Sequence, residues 1–186
     1  MGAAVNALPG GEIVPAIDRG LLDAAEFNNM SSDRALGFAD VSKICMLQSY
    51  HQNAEQLEIT FNKTKYDGLP EKMRAIIASA VDASSANMMW KAIDRNSQDY
   101  ITLQQVDKVK FYKTPPAILQ KQIEVYDEVI EKKSKELPII GEIVASQKKF
   151  AERAVKWEQD VVVSRTMAYN HYFGKAAAPA AAPKKA

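Results

Sequence analysis

The stretch LPGGEIVPAIDRGLLDAAEFNN, from Leu8 to Asn29, sets an oxygen-rich turn directly behind an apolar run, and that order limits what the chain can build. Pro9-Gly10-Gly11 interrupts regular structure, and a short helix follows over about Glu12 to Arg19. Pro15 falls inside it, which a helix tolerates best near its first turn, where a backbone donor is not needed. Gly20 is expected to end this helix, because it enters the left-handed conformation that a helix C-terminus favours. Leu21, Leu22, Ala24 and Ala25 then predict a short strand that finishes at Glu26-Phe27-Asn28-Asn29. Ligands of open α/β sheets gather outside the carboxyl ends of strands, so this cluster is the first candidate site.

Further along, Val5 with its small neighbours predicts a strand over residues 1–7, and Ser31-Ser32-Asp33 offers an N-cap for a short helix through Leu36 and Phe38. Ile44 to Leu47 reads as a strand that ends in a second polar cluster, Gln48 to Asn53. Leu57, Ile59 and Phe61 alternate with Glu58 and Thr60, the period of a half-buried strand. After the Asp67-Gly68 turn, Pro70 opens a long helix in which Ile77, Val81, Met88 and Ala92 recur at helical spacing to about Thr102. Val109 to Tyr112 predicts another strand, ended by Thr114-Pro115-Pro116. The next helix carries Leu119, Ile123, Tyr126 and Ile130 on its expected buried face until Pro138 breaks it. A last helical stretch, about Ile143 to Phe173, lines up Phe150, Ala154, Trp157 and Val161, and the Ala/Pro-rich tail after it lacks the apolar surface to fold. Strands alternating with helices predict an α/β fold whose helices cover a mostly parallel sheet.

Composition narrows the partners. The 186 residues are enough for one domain, and 24 basic against 23 acidic side chains leave a charge of +1, giving no sign of nucleic-acid binding. Cys45 is the only cysteine, so no internal disulfide forms, and its expected role is a small core hydrophobe. No stretch approaches the roughly 20 apolar residues of a membrane-spanning helix, and residues 1–7 do not read as a secretory leader, so the chain as written is expected in the cytoplasm. Cys45, His51 and His171 cannot make a zinc site, and neither histidine has a partner for nucleophilic catalysis. Asp23 and Glu26, placed on a strand, would face opposite ways, so a paired-carboxylate enzyme is not expected. The oxygens of Glu26, Gln52 and the Phe27 carbonyl are hard donors of the kind that bind Na⁺ or Ca²⁺. Each also has a plainer reading: a solvated glutamate, a core aromatic and a loop glutamine.

The order Leu-Pro-Gly-Gly-Glu-Ile, a Pro-Ala-Ile helix, Arg-Gly and Asp-Ala-Ala-Glu-aromatic resembles the solute-binding proteins of tripartite ATP-independent periplasmic (TRAP) transporters. The resemblance continues through Tyr50-His51-Gln52, Phe61-Asn62-Lys63, Leu69-Pro70 and Phe111 to Thr114, over roughly residues 3–173. It covers about the C-terminal half of the family pattern, in the branch that takes small oxo- and hydroxy-carboxylates with a metal ion. The resemblance implies a partial two-lobed, periplasmic-binding-protein-like fold with long C-terminal helices, residues 1–173 supplying the second lobe and crossing strands and residues 174–186 a disordered tail. Leu47 to Leu57 would form a crossing strand, and the helix from Pro70 would lie in the first lobe or span both. Strand edges normally paired by the rest of the fold would lie open, an aggregation liability.

By that resemblance Glu26 is the metal-binding glutamate, Phe27 stands where relatives carry a tryptophan against the substrate, and Gln52 contacts both metal and substrate. Phenylalanine keeps the apolar wall but lacks the indole donor. Gln52-Asn53-Ala54 departs from the glycine-proline character common there, and the family's clamping arginine has no counterpart in this sequence. The resemblance implies capture of a small organic carboxylate with Na⁺ or Ca²⁺, delivery to a TRAP membrane permease, a periplasmic location, no catalysis and a homodimer through the C-terminal helix. A single half-clamp is expected to bind weakly or not at all. The alternative is a helical oligomerisation or interaction module derived from such a protein.

Overall fold

The computed structural model describes residues 2–51 and 57–174. Ten elements follow in order: α1 (Gly10–Asp18), α2 (Met30–Leu36), α3 (Phe38–Val41), β1 (Ile44–Leu47), α4 (Lys63–Asp67), α5 (Glu71–Gln105), β2 (Lys110–Lys113), α6 (Pro116–Glu136), α7 (Pro138–Val161) and α8 (Arg165–Phe173). None of these helices is long and apolar enough to cross a membrane. The chain divides into two compact units, residues 1–125 and 126–186, and the division falls within α6.

In the first unit β1 and β2 pair in parallel, Ile44 opposite Lys110 through Leu47 opposite Lys113. Parallel neighbours need a long crossover, and α4 and α5 lie in it. The core is small: Ala39, Leu103 and Val109 are buried, with Met30, Cys45 and Phe111 packed on them. Phe111 lies against Tyr100 with ring centroids 4.6 Å apart. Cys45 is half-buried there, and burial, with the nearby Asp33 charge, pushes its thiol pKa up.

The start of the chain folds as its glycines and prolines dictate, with shifted boundaries. α1 begins at Gly10, two residues before the expected start, so Pro15 sits in its second turn rather than its first. Gly20 takes φ +70°, its N–H donating to Ile17 O at 2.9 Å while Leu21 N–H reaches back to Ala16 O at 2.9 Å. Those two bonds form the paired C-terminal closure that a left-handed residue permits. The cap of α2 is Asn29, earlier than the expected Ser31-Ser32-Asp33, its Oδ1 accepting from Ser32 N–H at 3.0 Å.

Three expected strands are not formed. Residues 3–7, Leu21 to Ala25 and Leu57 to Phe61 are irregular, with Val5 86 % and Leu57 64 % exposed. A strand exists only where a neighbour takes its backbone donors and acceptors, and β1 and β2 are the only paired strands among the described residues. The parity argument that set Asp23 and Glu26 on opposite faces therefore does not apply. Of the expected crossing strand, Leu47 ends β1 and residues 52–56 lie outside the described residues.

In α5, Ile77 and Val81 are partly buried as their spacing predicts, whereas Met88 and Ala92 are exposed. In α6, Leu119 and Ile130 are half-buried, but Ile123 and Tyr126 are 41 % and 48 % exposed, because no described element covers that stripe. The second unit carries the rest of α6 with α7 and α8. The single expected terminal helix is two, since consecutive β-branched residues at Val161-Val162-Val163 strain a helix and Val162 turns extended. Exposed Phe150 and Trp157 mark one face of α7, supported along the helix by a Lys156–Asp160 ion pair and by Arg153 over the Phe150 ring at 5.5 Å. The Ala/Pro tail from Lys175 lies outside the described residues.

Candidate functional site

Parallel pairing brings the carboxyl ends of β1 and β2 to one edge. Thr114 fastens them there, its backbone N–H and its hydroxyl both donating to Leu47 O at 2.9 Å. Immediately after Leu47 the chain turns through Gln48 at φ +72°, a left-handed conformation that costs a non-glycine residue about 1–2 kcal/mol. Such strain persists only where neighbours fix it, and it clusters at functional sites. The neighbour is Gln122 of α6. Its Oε1 accepts from Tyr50 N–H at 3.0 Å, and its Nε2 donates to Ser49 Oγ at 3.0 Å. The segment leading to Gln52 thus leaves the sheet from a fixed point, while Gln52 itself lies outside the described residues.

The other candidate segment is held from below. The Phe27 ring stacks on Phe38 at 6.2 Å and lies over Gly10, where a Cβ would come within 2.8 Å of its edge. The Glu26 side chain is exposed. Past it, Asn28 N–H donates to Asp33 Oδ1 at 3.3 Å, and Asn29 Nδ2 donates to Asn28 Oδ1 at 2.7 Å. Burial pushes the Asp33 carboxyl pKa up, the Asn28 amide opposes that, and the Glu26 charge adds to it. Two carboxylates in electrostatic reach, one desolvated, form a region where a cation is favoured.

Glu26 and Phe27 come together as chain neighbours, with the aromatic turned inward and the carboxylate outward. Among the described residues no three acidic, histidine or cysteine side chains gather into a metal cluster. The donors at hand are oxygens, which fit a hard cation completed by backbone, carboxamide and ligand oxygens rather than by a side-chain cage. Sequence reasoning missed the half-buried Asp33, whose carboxyl the Glu26 charge reaches, and Gln122 altogether. Gln122 was findable in principle, since a helix that follows a strand starts beside that strand's carboxyl end.

A second polar cluster anchors α2 on α5. Arg34 reaches Asp99 at 3.2 Å and Asp107 at 3.3 Å, and Ser31 N–H donates to Asn96 Oδ1 at 3.0 Å. The Ser31 hydroxyl beside it, then Arg34 and Arg95, hold the Asp99 carboxyl below the usual carboxylate range. Every charge in this cluster has an opposite partner, so its role is to join elements.

A parallel α/β unit with polar groups collected at its strand ends is the architecture of a ligand-binding lobe. The chain belongs to the bacterial extracellular solute-binding protein family 7, whose sequence profile matches residues 1–136. It is 22 % identical over 159 residues to a monocarboxylate 2-oxoacid-binding periplasmic protein of Nostoc sp., covering 86 % of this chain and 43 % of that one. Its fold is that of TRAP periplasmic solute-binding proteins. It superposes with a TM-score of 0.81 on one from Colwellia psychrerythraea, solved with calcium and pyruvate, at 22 % identity over 92 % of this chain and 51 % of that one. For one from Pseudoalteromonas atlantica, solved with sodium and pyruvate, the score is 0.80, again at 22 % identity over 92 % and 51 %. The chain therefore spans about half the length of these relatives.

Proposed function

We propose that this chain is the C-terminal half of an extracytoplasmic solute-binding subunit of a TRAP transporter, residues 1–173 forming its second lobe, crossing segments and terminal helices. Its ligand is a small oxo- or hydroxy-carboxylate, handed on to a membrane permease with no bond made or broken. The observation that carries the reading is the family match over residues 1–136. The exposed Glu26 carboxylate ahead of the fixed Asn28–Asp33 contact supports it.

In this reading the Glu26 carboxylate, the Phe27 backbone carbonyl and the Gln52 carboxamide oxygen would hold Na⁺ or Ca²⁺, and that cation would neutralise the solute's carboxylate. Phe27 supplies an apolar wall, and Gln122 positions the approach to Gln52. Closure is a population shift in which the bound solute supplies the differential contacts between two lobes. The terminal helices, with Trp157 and Phe150 exposed, are the proposed contact of a homodimer.

Isothermal titration with pyruvate in the presence of Ca²⁺ or Na⁺ tests this. The isolated chain is expected to bind at millimolar strength or weaker, because half of the clamp is not in it. Joined to the other half of the fold, it is expected to bind at least tenfold tighter, and Glu26→Gln should abolish that gain. Micromolar binding by the isolated chain, or a gain indifferent to Glu26→Gln, would overturn the reading.

A further inference from the structure

We infer that the hydroxyl of Ser49 is a solute-binding group, a donor-only contact for an oxygen of the bound acid, and that Gln122 is the residue that makes it so. The inference rests on the proposed function for the solute class and adds a residue to that site. Ser49 stands two residues past the end of β1 and three before Gln52. It lies on the segment leaving the carboxyl edge of the sheet, where ligands of open α/β sheets gather. Every group that sets its geometry lies in the first unit.

Donors and acceptors decide what this hydroxyl does. The Tyr50 backbone N–H can only donate, so the Gln122 atom 3.0 Å from it is the amide oxygen. The amide nitrogen must then face Ser49 Oγ, 3.0 Å away. Turning the carboxamide over would set two donors against each other at Tyr50. The His51 backbone N–H also donates to Ser49 Oγ, at 3.0 Å. A serine oxygen accepts two hydrogen bonds and gives one. Both acceptor places are taken by groups that can only donate, so what is left to Ser49 is its own proton. Among the described residues nothing accepts that proton.

An exposed serine ordinarily turns its proton toward whichever water is near. Here two accepted bonds, one of them from a helix residue 73 positions along the chain, hold Oγ and confine the proton to the remaining direction. A donor ordered before the solute arrives does not lose that freedom on binding. Its complement is a carbonyl or carboxylate oxygen, and with a carboxylate the bond is of the stronger, charge-assisted kind. An ammonium group finds no acceptor at this oxygen, so the position favours an oxo acid over the corresponding amino acid. The left-handed bend at Gln48, φ +72°, directly precedes the clasped pair Ser49 and Tyr50, so the strained residue and the aimed donor are neighbours.

The test is isothermal titration of pyruvate with Ca²⁺ into the chain joined to the other half of the fold. Ser49→Ala is expected to raise Kd about tenfold, as for loss of a hydrogen bond to a charged acceptor, while Ser49→Thr, which keeps the hydroxyl, stays within about threefold of the parent. Gln122→Glu separates aim from shape. The new carboxylate still accepts from Tyr50 N–H but draws the Ser49 proton to itself. Binding should therefore weaken, although hydrogen exchange of the Tyr50 amide in the full chain stays as slow as in the parent. In the Ser49→Ala background the effect of Gln122→Glu should be about threefold smaller, since no proton is left to divert. Three results would each overturn the inference and leave the solute reading standing. They are a parent-like Kd for Ser49→Ala, a Ser49→Thr as weak as Ser49→Ala, and a Gln122→Glu effect of equal size in both backgrounds, which repulsion by the added charge alone would give. A joined protein that binds no pyruvate, or binds it regardless of Glu26→Gln, would sink the solute reading and this inference with it.

Discussion

Gly10 and Gly11 are neighbours with opposite demands. A methyl group on Gly10 would meet the Phe27 ring at 2.8 Å, while one on Gly11 would meet nothing within 4 Å. Gly10→Ala is therefore expected to cost about 1–3 kcal/mol by displacing the ring. Gly11→Ala should be neutral or stabilise by up to about 1 kcal/mol through helix propensity. Urea midpoints of the two variants check the contrast. Asp33 and Asp99 give a second pair with opposite signs. The Asp33 pKa is raised by burial, so the protonated form suits the fold, and the stability this group contributes at acid pH is lost as pH rises through the raised value. Asp33→Asn keeps an oxygen for the Asn28 amide, and its urea midpoint should exceed the parent's most at pH 7, the gap closing near pH 3. The Asp99 pKa is lowered, by the Ser31 hydroxyl first, so its contribution is present at neutral pH and lost as pH falls below the usual carboxylate range. Asp99→Asn should therefore weaken the protein at pH 7 and flatten the acid limb. At this scale the sequence disclosed the left-handed Gly20. It hid Asp33, whose desolvation depends on what packs over it.

Caps and pairings decide the elements. Asn29→Ala removes the acceptor for Ser32 N–H and the donor to Asn28, and should cost about 1 kcal/mol in thermal or urea unfolding. Thr114→Val removes one of two bonds to Leu47 O and should cost a similar amount, about 1 kcal/mol, with the strand register kept by the backbone N–H that remains. The long helices and the two paired strands were legible because propensity, prolines and apolar spacing are local, whereas the short α4, capped by Asn62, was not expected. The expected strands at Leu21 to Ala25 and Leu57 to Phe61 were not realised for the converse reason. Alternation records which face would be buried, but a ladder requires a neighbour that local pattern does not supply. Likewise the break at Val162 is written in three consecutive β-branched residues, a signal outweighed in the reading by the aromatic stripe that continues past it.

At the scale of the whole chain, the middle of α5 stands out, since Met88, Met89, Trp90 and Ile93 are 50–69 % exposed there. The fold class was legible at this scale, because several short motifs fell in order along the sequence. The bare arc of α5 was not, since Met88, Met89 and Trp90 in a helical pattern read the same whether or not anything lies against them.

The carboxamide of Gln122 clasps the turn after β1 from a helix 72 residues further along the chain. In the proposed reading, an attempt to retune solute preference by randomising the loop alone would search with one hand tied, because the loop's starting point is dictated from α6. Selectivity should drift through substitutions at Gln122 that touch no solute, and a library that leaves that position constant would explore only the shapes it already permits.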